Sequence, residues 1–242
     1  MEDGQQLIDV DVVSVATSRP FDRSTALLEA VDLYRFFHAG DDETLALRGV
    51  SFKLHPGEVV AVTGPSGSGK STLLACLAGL DEPDGGTVRI AGETMSRRPE
   101  VERCALRART IGMLFQSGNL LDHLNVEQNI ILAQRLAGRV DRSRVARLLD
   151  EVGLAERATA SPASLSGGEA ARAGLAVALA NDPAVILADE PTGELDEVTA
   201  SRVIALLRRH AGDGAAVLIV THNPDVAADA DREISLFDGR VV

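Results

Sequence analysis

A glycine-rich segment between an apolar run and a helix-like run constrains the fold more than any other feature of the chain. Residues 59–63 are continuously apolar, as in a strand buried on both faces of a parallel sheet, and residues 71–80 have a helical pattern. The segment between them matches GxxxxGK[ST], a loop whose backbone N–H groups cradle phosphates at a helix N-terminus. An ordinary turn can share these letters, but the strand and helix around them favour the phosphate loop. Its residues are Gly64, Pro65, Ser66, Gly67, Ser68, Gly69, Lys70 and Ser71.

The residue types in this loop predict a nucleoside triphosphate as ligand. Glycines let the backbone N–H groups turn inward, and Lys70 can reach the β- and γ-phosphate oxygens. The Ser71 hydroxyl is the expected ligand of Mg²⁺. Thr72, in the helix that follows the loop, is the last residue of this segment that we expect to bind the nucleotide.

Residues 185–188 and 217–220 are two further apolar runs that predict strands of the same parallel sheet. Ligands collect beyond the carboxyl ends of such strands, and the first run is followed directly by Asp189 and Glu190. Asp189 can hold Mg²⁺ through its water shell, whereas Glu190 can orient or deprotonate an attacking water. Asp-Glu-Pro after a strand is often only a turn. Paired with the phosphate loop, however, it predicts a catalytic site.

The net charge excludes some partners. With 24 Lys plus Arg against 36 Asp plus Glu, the formal charge is −12, so the surface as a whole repels polyanions. We therefore expect no nucleic-acid partner. No apolar run approaches the roughly 20 residues of a membrane-spanning helix, and the N-terminus has no secretory signal pattern. These features predict a cytoplasmic chain.

The chain divides into a short appendage and one large domain. Residues 1–26 lack periodicity and have no readable role, whereas residues 27–242 alternate strand-like and helical runs. That alternation predicts βαβ units and an α/β fold. Within the domain, residues 100–180 are expected to form a helical subdomain.

Four motifs together resemble the ATPase subunit of an ATP-binding cassette (ABC) transporter. They are the phosphate loop, LSGGE at 165–169, ILADEPTGELD at 186–196 and VTH at 220–222. The resemblance extends over residues 27–242. It implies a P-loop NTPase fold with a mostly parallel core sheet, an N-terminal antiparallel β subdomain and a helical subdomain. It also implies ATP and Mg²⁺ as cofactors and hydrolysis of ATP as the reaction.

The resemblance assigns roles to side chains outside the phosphate loop. Phe37 is the expected adenine-stacking aromatic residue, although Tyr34 and Phe36 are near enough to serve instead. Gln116 is the expected Mg²⁺ contact that moves with a membrane partner. Ser166 and Gly168 are expected to bind the γ-phosphate of the ATP held by the opposite subunit. Asp196 is expected to cross the dimer interface, and His222 to contact the γ-phosphate.

Two positions differ from the commonest family pattern. Glu169 ends the LSGGE motif where glutamine is more usual, and Val177 occupies a helix position where many relatives carry arginine. Neither difference removes a catalytic group. Because Glu190 and His222 are both present, the resemblance implies a competent hydrolase.

The resemblance also implies partners. A head-to-tail dimer with a second cassette subunit, expected to be a homodimer, would share two ATP molecules, and an integral-membrane permease would hold the chain at the inner face of the plasma membrane. The permease is expected to bind around residues 119–130.

Residues 119–121 and 188–196 are similar to lipoprotein-release, macrolide-export, antimicrobial-peptide-export and cell-division ATPases, which favours export or mechanical signalling. Two alternatives stay open: a cytosolic ABC ATPase acting on nucleic acid or ribosomes, and a non-catalytic regulatory cassette.

Overall fold

Two β-sheets organise the chain. The computed structural model describes residues 25–39 and 42–242, so residues 1–24 of the predicted appendage lie outside the described residues. In chain order the strands are β1 (Leu28–Ala39), β2 (Asp42–Leu54), β3 (Val59–Thr63), β4 (Gly85–Ile90), β5 (Glu93–Thr94), β6 (Ile111–Leu114), β7 (Val185–Asp189), β8 (Ala216–Val220), β9 (Arg232–Phe237) and β10 (Arg240–Val241).

The larger sheet has the order β10-β9-β3-β8-β7-β6, and its core strands run parallel. The three apolar runs predicted as buried strands are β3, β7 and β8, which are neighbours in this sheet. The smaller sheet, β2-β1-β4-β5, is antiparallel. The predicted combination of a mostly parallel core sheet and an N-terminal antiparallel sheet is therefore confirmed.

Burial on both faces explains why the core strands are continuously apolar. In β7, Val185 and Leu187 point into the hydrophobic cluster that includes the antiparallel sheet. The alternate residues Ile186 and Ala188 point into a second cluster, formed with the helices of the opposite layer. A strand covered on both sides has no face left for polar residues. Its first polar side chains come at its carboxyl end, where the candidate site lies.

The helices are α1 (Lys70–Leu77), α2 (Glu100–Thr110), α3 (Val126–Leu136), α4 (Arg142–Glu151), α5 (Gly167–Ala178), α6 (Glu197–Gly212) and α7 (Pro224–Ala228). Residues 100–180 are mostly helical, but they also contain β6, which pairs in parallel with β7 at the edge of the core sheet. This stretch therefore contributes one strand to the core sheet as well as helices. Among the described residues, no helix has the length and apolar character that a membrane crossing requires.

Candidate functional site

The phosphate loop connects β3 to α1, as the sequence predicts. Gly69, just before the helix, has φ +103°, and a Cβ there would lie 2.4 Å from the backbone oxygen of Ala46. Only glycine fits this conformation without strain. The Lys70 ammonium donates to the carbonyl oxygens of Gly64 at 2.7 Å and Pro65 at 2.9 Å. Lys70 thus lies across the loop whose N–H groups would cradle a phosphate.

An open cleft of about 420 Å³ joins this loop to the antiparallel sheet. Phe37 lines it together with Lys70, whereas Tyr34 packs against Gly49 and Gly85. The Arg35 guanidinium lies 4.7 Å from the centre of the Phe37 ring, close enough for a cation–π contact. Of the three aromatic candidates, Phe37 therefore faces the cleft. The other residues that line this cleft include Ser66, Gly67, Gly69, Ser71 and Thr72.

Asp189 ends β7 and is only partly exposed. Burial, followed by the negative charge of Glu190, raises the pKa of Asp189 above its usual range, and the positive charge of Lys70 opposes the rise. A carboxylate held in this way is stabilised by a cation. The Ser71 hydroxyl and the Asp189 carboxylate are oxygen donors of the kind Mg²⁺ accepts alongside water and substrate phosphates. These two residues therefore fit a Mg²⁺ ion.

The raised pKa of Asp189 has a consequence for stability. A carboxyl group whose pKa is higher in the folded than in the unfolded state favours folding when protonated, and this contribution is lost as the pH rises through the folded pKa. We expect Asp189→Asn to raise the Tm of the nucleotide-free protein at neutral pH. The gain should shrink as the pH falls toward about 4, the ordinary pKa range of aspartate.

Thermal unfolding across this pH range checks the prediction. Asp196→Asn is the matched control with the opposite sign, because hydrogen bonds from Thr199 lower the pKa of Asp196. It should lower the Tm at neutral pH. A lower Tm for Asp189→Asn at neutral pH would contradict the prediction.

Glu190 and His222 are brought into contact from the ends of β7 and β8. The Glu190 carboxylate lies 2.8 Å from His222 Nδ1 and accepts hydrogen bonds from the His222 N–H at 3.3 Å and the Thr221 hydroxyl at 3.2 Å. The side chain of Glu190 is 15% exposed and that of His222 is 73% exposed. Glu190 is thus held from one side while the imidazole stays open to solvent. This arrangement suits an acid–base pair.

The LSGGE segment caps α5. The Ser166 hydroxyl accepts from the Glu169 N–H at 3.2 Å, and the Glu169 carboxylate accepts from the Ser166 N–H at 2.9 Å. This reciprocal capping box satisfies two backbone donors at the helix start. Because the Ser166 N–H bonds to it, the pKa of Glu169 is lowered. The Glu169 carboxylate, which stands where glutamine is more usual, is also paired with Arg157 at 3.2 Å.

The remaining predicted site residues lie around α5 and α6. Asp196 caps α6 and accepts from the Thr199 N–H at 3.0 Å and hydroxyl at 2.7 Å. A Cβ on Gly168 would lie 3.1 Å from the Thr199 side chain, so the two motifs pack together. Gln116 donates to Glu194 at 3.4 Å and lines, with Glu190, a second cleft of about 310 Å³. Gln116 thus shares a cleft with Glu190, and Phe37 with Lys70.

Sequence reasoning missed Arg48 and Asp238, which line the Lys70 cleft. They form an ion pair at 2.8 Å. An Asp-Gly dipeptide at 238–239 is a hairpin signal, but nothing in it indicates which loop the hairpin meets. Arg48 lies inside β2 and carries no motif.

Comparison with known proteins places these motifs in a family. The ABC transporter family pattern matches residues 47–193. Two curated relatives are the macrolide export ATP-binding/permease proteins MacB of Shigella flexneri and of Escherichia coli strain K12, each 43% identical over 221 residues. Both matches cover 90% of this chain and 34% of the relative. The chain thus spans about a third of the length of these curated relatives.

Solved structures of similar fold have nearly the same extent as this chain. The ATP-binding cassette MJ0796, described as a dimer in a post-hydrolysis state bound to ADP and Pi, is 34% identical with a TM-score of 0.82. The match covers 88% of this chain and 96% of that one. A second dimeric structure of MJ0796, described as a bacterial ABC transporter cassette, is 35% identical with a TM-score of 0.81 and the same coverage.

Proposed function

The chain belongs to the ABC transporter family as an ATPase cassette, and from this premise we propose that its ATP hydrolysis powers export or mechanical signalling through a separate membrane permease. The observation that carries the proposal is the grouping of charged side chains at the ends of adjacent parallel strands. Lys70 follows β3, the Glu190 and His222 pair follows β7 and β8, and Asp189 ends β7. Phosphoryl transfer depends on such positioning and charge stabilisation.

Phe37 and Lys70 define where ATP would lie in this proposal. Adenine would stack on the Phe37 ring, and the triphosphate would enter the loop that Lys70 crosses. Bound Mg²⁺ would neutralise charge on the phosphates, with Ser71 and Asp189 as the protein's oxygen donors and Gln116 as a further contact. Thr72 lines the same cleft and completes the phosphate-binding set.

Glu190 is the proposed general base. A water molecule would attack the γ-phosphorus while the bond between that phosphorus and the β–γ bridging oxygen breaks, and the water proton would pass to Glu190. His222 would hold the γ-phosphate through its exposed imidazole. Its contact with Glu190 keeps both groups at one point of the sheet edge.

A second copy of the chain would complete each site. Among the described residues that line the Lys70 cleft, none belongs to the LSGGE segment. In this proposal Ser166 and Gly168 would bind the ATP of another subunit, with Asp196 near the interface. The two structures of MJ0796, both described as dimeric, are 34% and 35% identical to this chain and support a homodimer.

An apolar groove supports a membrane partner. It has a volume of about 600 Å³ and is lined by α2, the end of α3 and α5. Val101 is 80% exposed and Leu136 is 69% exposed there, an arrangement that indicates an interaction site. Val177 lines the groove and extends its apolar surface. We propose that a permease helix docks here, next to Phe115, rather than only at residues 119–130.

The relatives named for macrolide export carry ATP-binding and permease functions in one protein, and this chain matches about a third of their length. An integral-membrane permease of that export type, which would hold this chain at the inner face of the plasma membrane, is therefore the proposed partner. The experiment is affinity purification of the tagged chain from detergent-solubilised membranes, followed by mass spectrometry. We expect a polytopic membrane protein with a large extracytoplasmic domain.

Two surface variants make this purification specific. Leu136→Glu places a charge in the groove. It should reduce the recovery of the membrane protein at least about 10-fold, because a buried unpaired charge costs several kcal/mol. Val31→Glu changes a side chain that is also exposed, on the antiparallel sheet, and should leave recovery unchanged. Recovery of ribosomes or DNA instead would support a cytosolic nucleic-acid machine and overturn the proposal. Undiminished recovery with Leu136→Glu would overturn the groove assignment.

A further inference from the structure

The turn between β9 and β10 touches both halves of the proposed nucleotide cleft. The Gly239 N–H donates to the Ser68 backbone oxygen in the phosphate loop at 3.0 Å. The Gly239 oxygen accepts from the Arg48 N–H in β2 at 2.8 Å. One residue thus bridges the loop that would hold the phosphates and the sheet that presents Phe37.

A side-chain contact also joins the β9–β10 turn to β2 of the antiparallel sheet. Arg48 Nη1 lies 2.8 Å from Asp238, and Arg48 Nε donates to the Leu45 oxygen at 3.3 Å. Asp238 has φ +46°, in the left-handed region where aspartate and asparagine are favoured among residues with side chains. Both charged side chains line the cleft at its rim.

The backbones at this junction are close. A Cβ on Gly239, whose φ is +72°, would lie 2.7 Å from the Ala46 oxygen. A Cβ on Gly69 in the phosphate loop would approach the same oxygen to 2.4 Å. The strand β2, the phosphate loop and the β9–β10 turn therefore meet around Ala46 with no room for side chains between them.

We propose that Arg48 and Asp238 are positioning residues that fix the distance between Phe37 and Lys70, so that one ATP molecule fits both. The inference rests on the proposed function, because it takes the cleft as the ATP site. Phe37 lies on β1 of the antiparallel sheet and Lys70 at the start of α1, and a ligand that bridges two elements binds more tightly when they are held in place beforehand. The β9–β10 turn supplies that constraint from a distant part of the sequence.

The proposal predicts that loss of the ion pair weakens the binding of ATP but not that of tripolyphosphate. In Asp238→Asn the side chain keeps its shape and its tolerance of the left-handed backbone but loses its charge. We expect the Kd and KM for ATP to rise about 2- to 5-fold, the range of an exposed ion pair, with kcat unchanged. The Kd for inorganic tripolyphosphate with Mg²⁺ should stay the same, because this ligand needs only the phosphate loop.

Four further variants separate positioning from other roles. Arg48→Met should show the same loss, and the double variant with Asp238→Asn should be no worse than either single one, since both act through one pair. Lys53→Met removes the 3.0 Å pair with Glu29 in the same sheet and should leave ATP binding unchanged. Phe37→Ala should weaken ATP but not tripolyphosphate, by about 5- to 150-fold if stacking resembles base–aromatic contacts elsewhere.

The outcomes distinguish this inference from the function on which it rests. If wild type binds no ATP, the proposed function is wrong. If wild type binds ATP and Asp238→Asn binds it equally or more tightly, the positioning role is wrong. A parallel loss of tripolyphosphate binding would also overturn it, because the pair would then act on the phosphate loop alone. A much larger loss in Arg48→Met than in Asp238→Asn would make Arg48 a direct ATP contact instead.

Discussion

Replacing Glu190 with glutamine should reduce ATP hydrolysis by about 100- to 10,000-fold, the usual contribution of a positioned general base. The amide has nearly the shape of the carboxylate but cannot take the proton of the attacking water. ATP binding should survive, because Lys70 and Phe37 are untouched. The variant should therefore hold ATP without turning it over.

The contacts of Glu190 explain why this variant should remain folded. One carboxylate oxygen accepts from the Thr221 hydroxyl and the His222 N–H, and the other meets His222 Nδ1 at 2.8 Å. A glutamine oxygen can keep the first two bonds while its NH₂ donates to an unprotonated Nδ1. The backbone is held separately, since the Glu190 N–H donates to the Val220 oxygen at 2.9 Å.

Trapped ATP should also change the oligomeric state. If two subunits share each ATP, blocking hydrolysis keeps the closed form populated. We expect Glu190→Gln with Mg²⁺ and ATP to elute as a dimer in size-exclusion chromatography with light scattering, while wild type purified alone stays largely monomeric. Glu194→Gln is the matched control, because Glu194 is a nearby carboxylate whose described contact is with Gln116. It should keep its ATPase activity within about 3-fold, as expected for a residue outside the chemical step.

Two results would contradict these assignments. Hydrolysis by Glu190→Gln at the wild-type rate would show that another group accepts the proton. A variant that binds ATP but elutes only as a monomer would contradict the shared site for two copies of this chain.

The core sheet and the polar ends of its strands could be predicted from sequence for one physical reason. Strands buried on both faces are continuously apolar, so β3, β7 and β8 stand out from their surroundings. Where such a run stops, the next polar residues must lie at the sheet edge. This logic pointed to Asp189 and Glu190 at the end of β7. Lys70 came from the GxxxxGK[ST] pattern and His222 from the resemblance to the ABC family.

Contacts between distant segments could not be predicted in this way. Local sequence gives no register between β2 and the β9–β10 turn, so the pairing of Arg48 with Asp238 was missed. The choice of Phe37 over Tyr34 depended on which ring faces the cleft. Strand alternation alone does not fix this choice, because the pairing of β1 with β2 shifts register between Arg35 and Phe36.

Replacing Lys70 with alanine should weaken ATP binding by roughly 30- to 4000-fold, which corresponds to the 2–5 kcal/mol lost when one partner of a buried charge pair is truncated. The Lys70 ammonium already crosses the loop to the oxygens of Gly64 and Pro65. It can move from these carbonyls to the β- and γ-phosphates without a change in the backbone. Calorimetry with Mg²⁺ and ATP measures the loss, and unaltered affinity would contradict the phosphate-loop assignment.

The chain offers unusually clean controls for this prediction, because Lys53 is its only other lysine. Lys53→Ala removes the same charge from a surface pair with Glu29 and should leave the Kd for ATP unchanged. Lys70→Arg keeps the charge but replaces a compact ammonium with a broad planar fork. If charge alone sufficed, this variant would bind ATP like wild type. Because the ammonium fits between two loop carbonyls at 2.7 and 2.9 Å, we expect it to bind ATP nearly as poorly as Lys70→Ala.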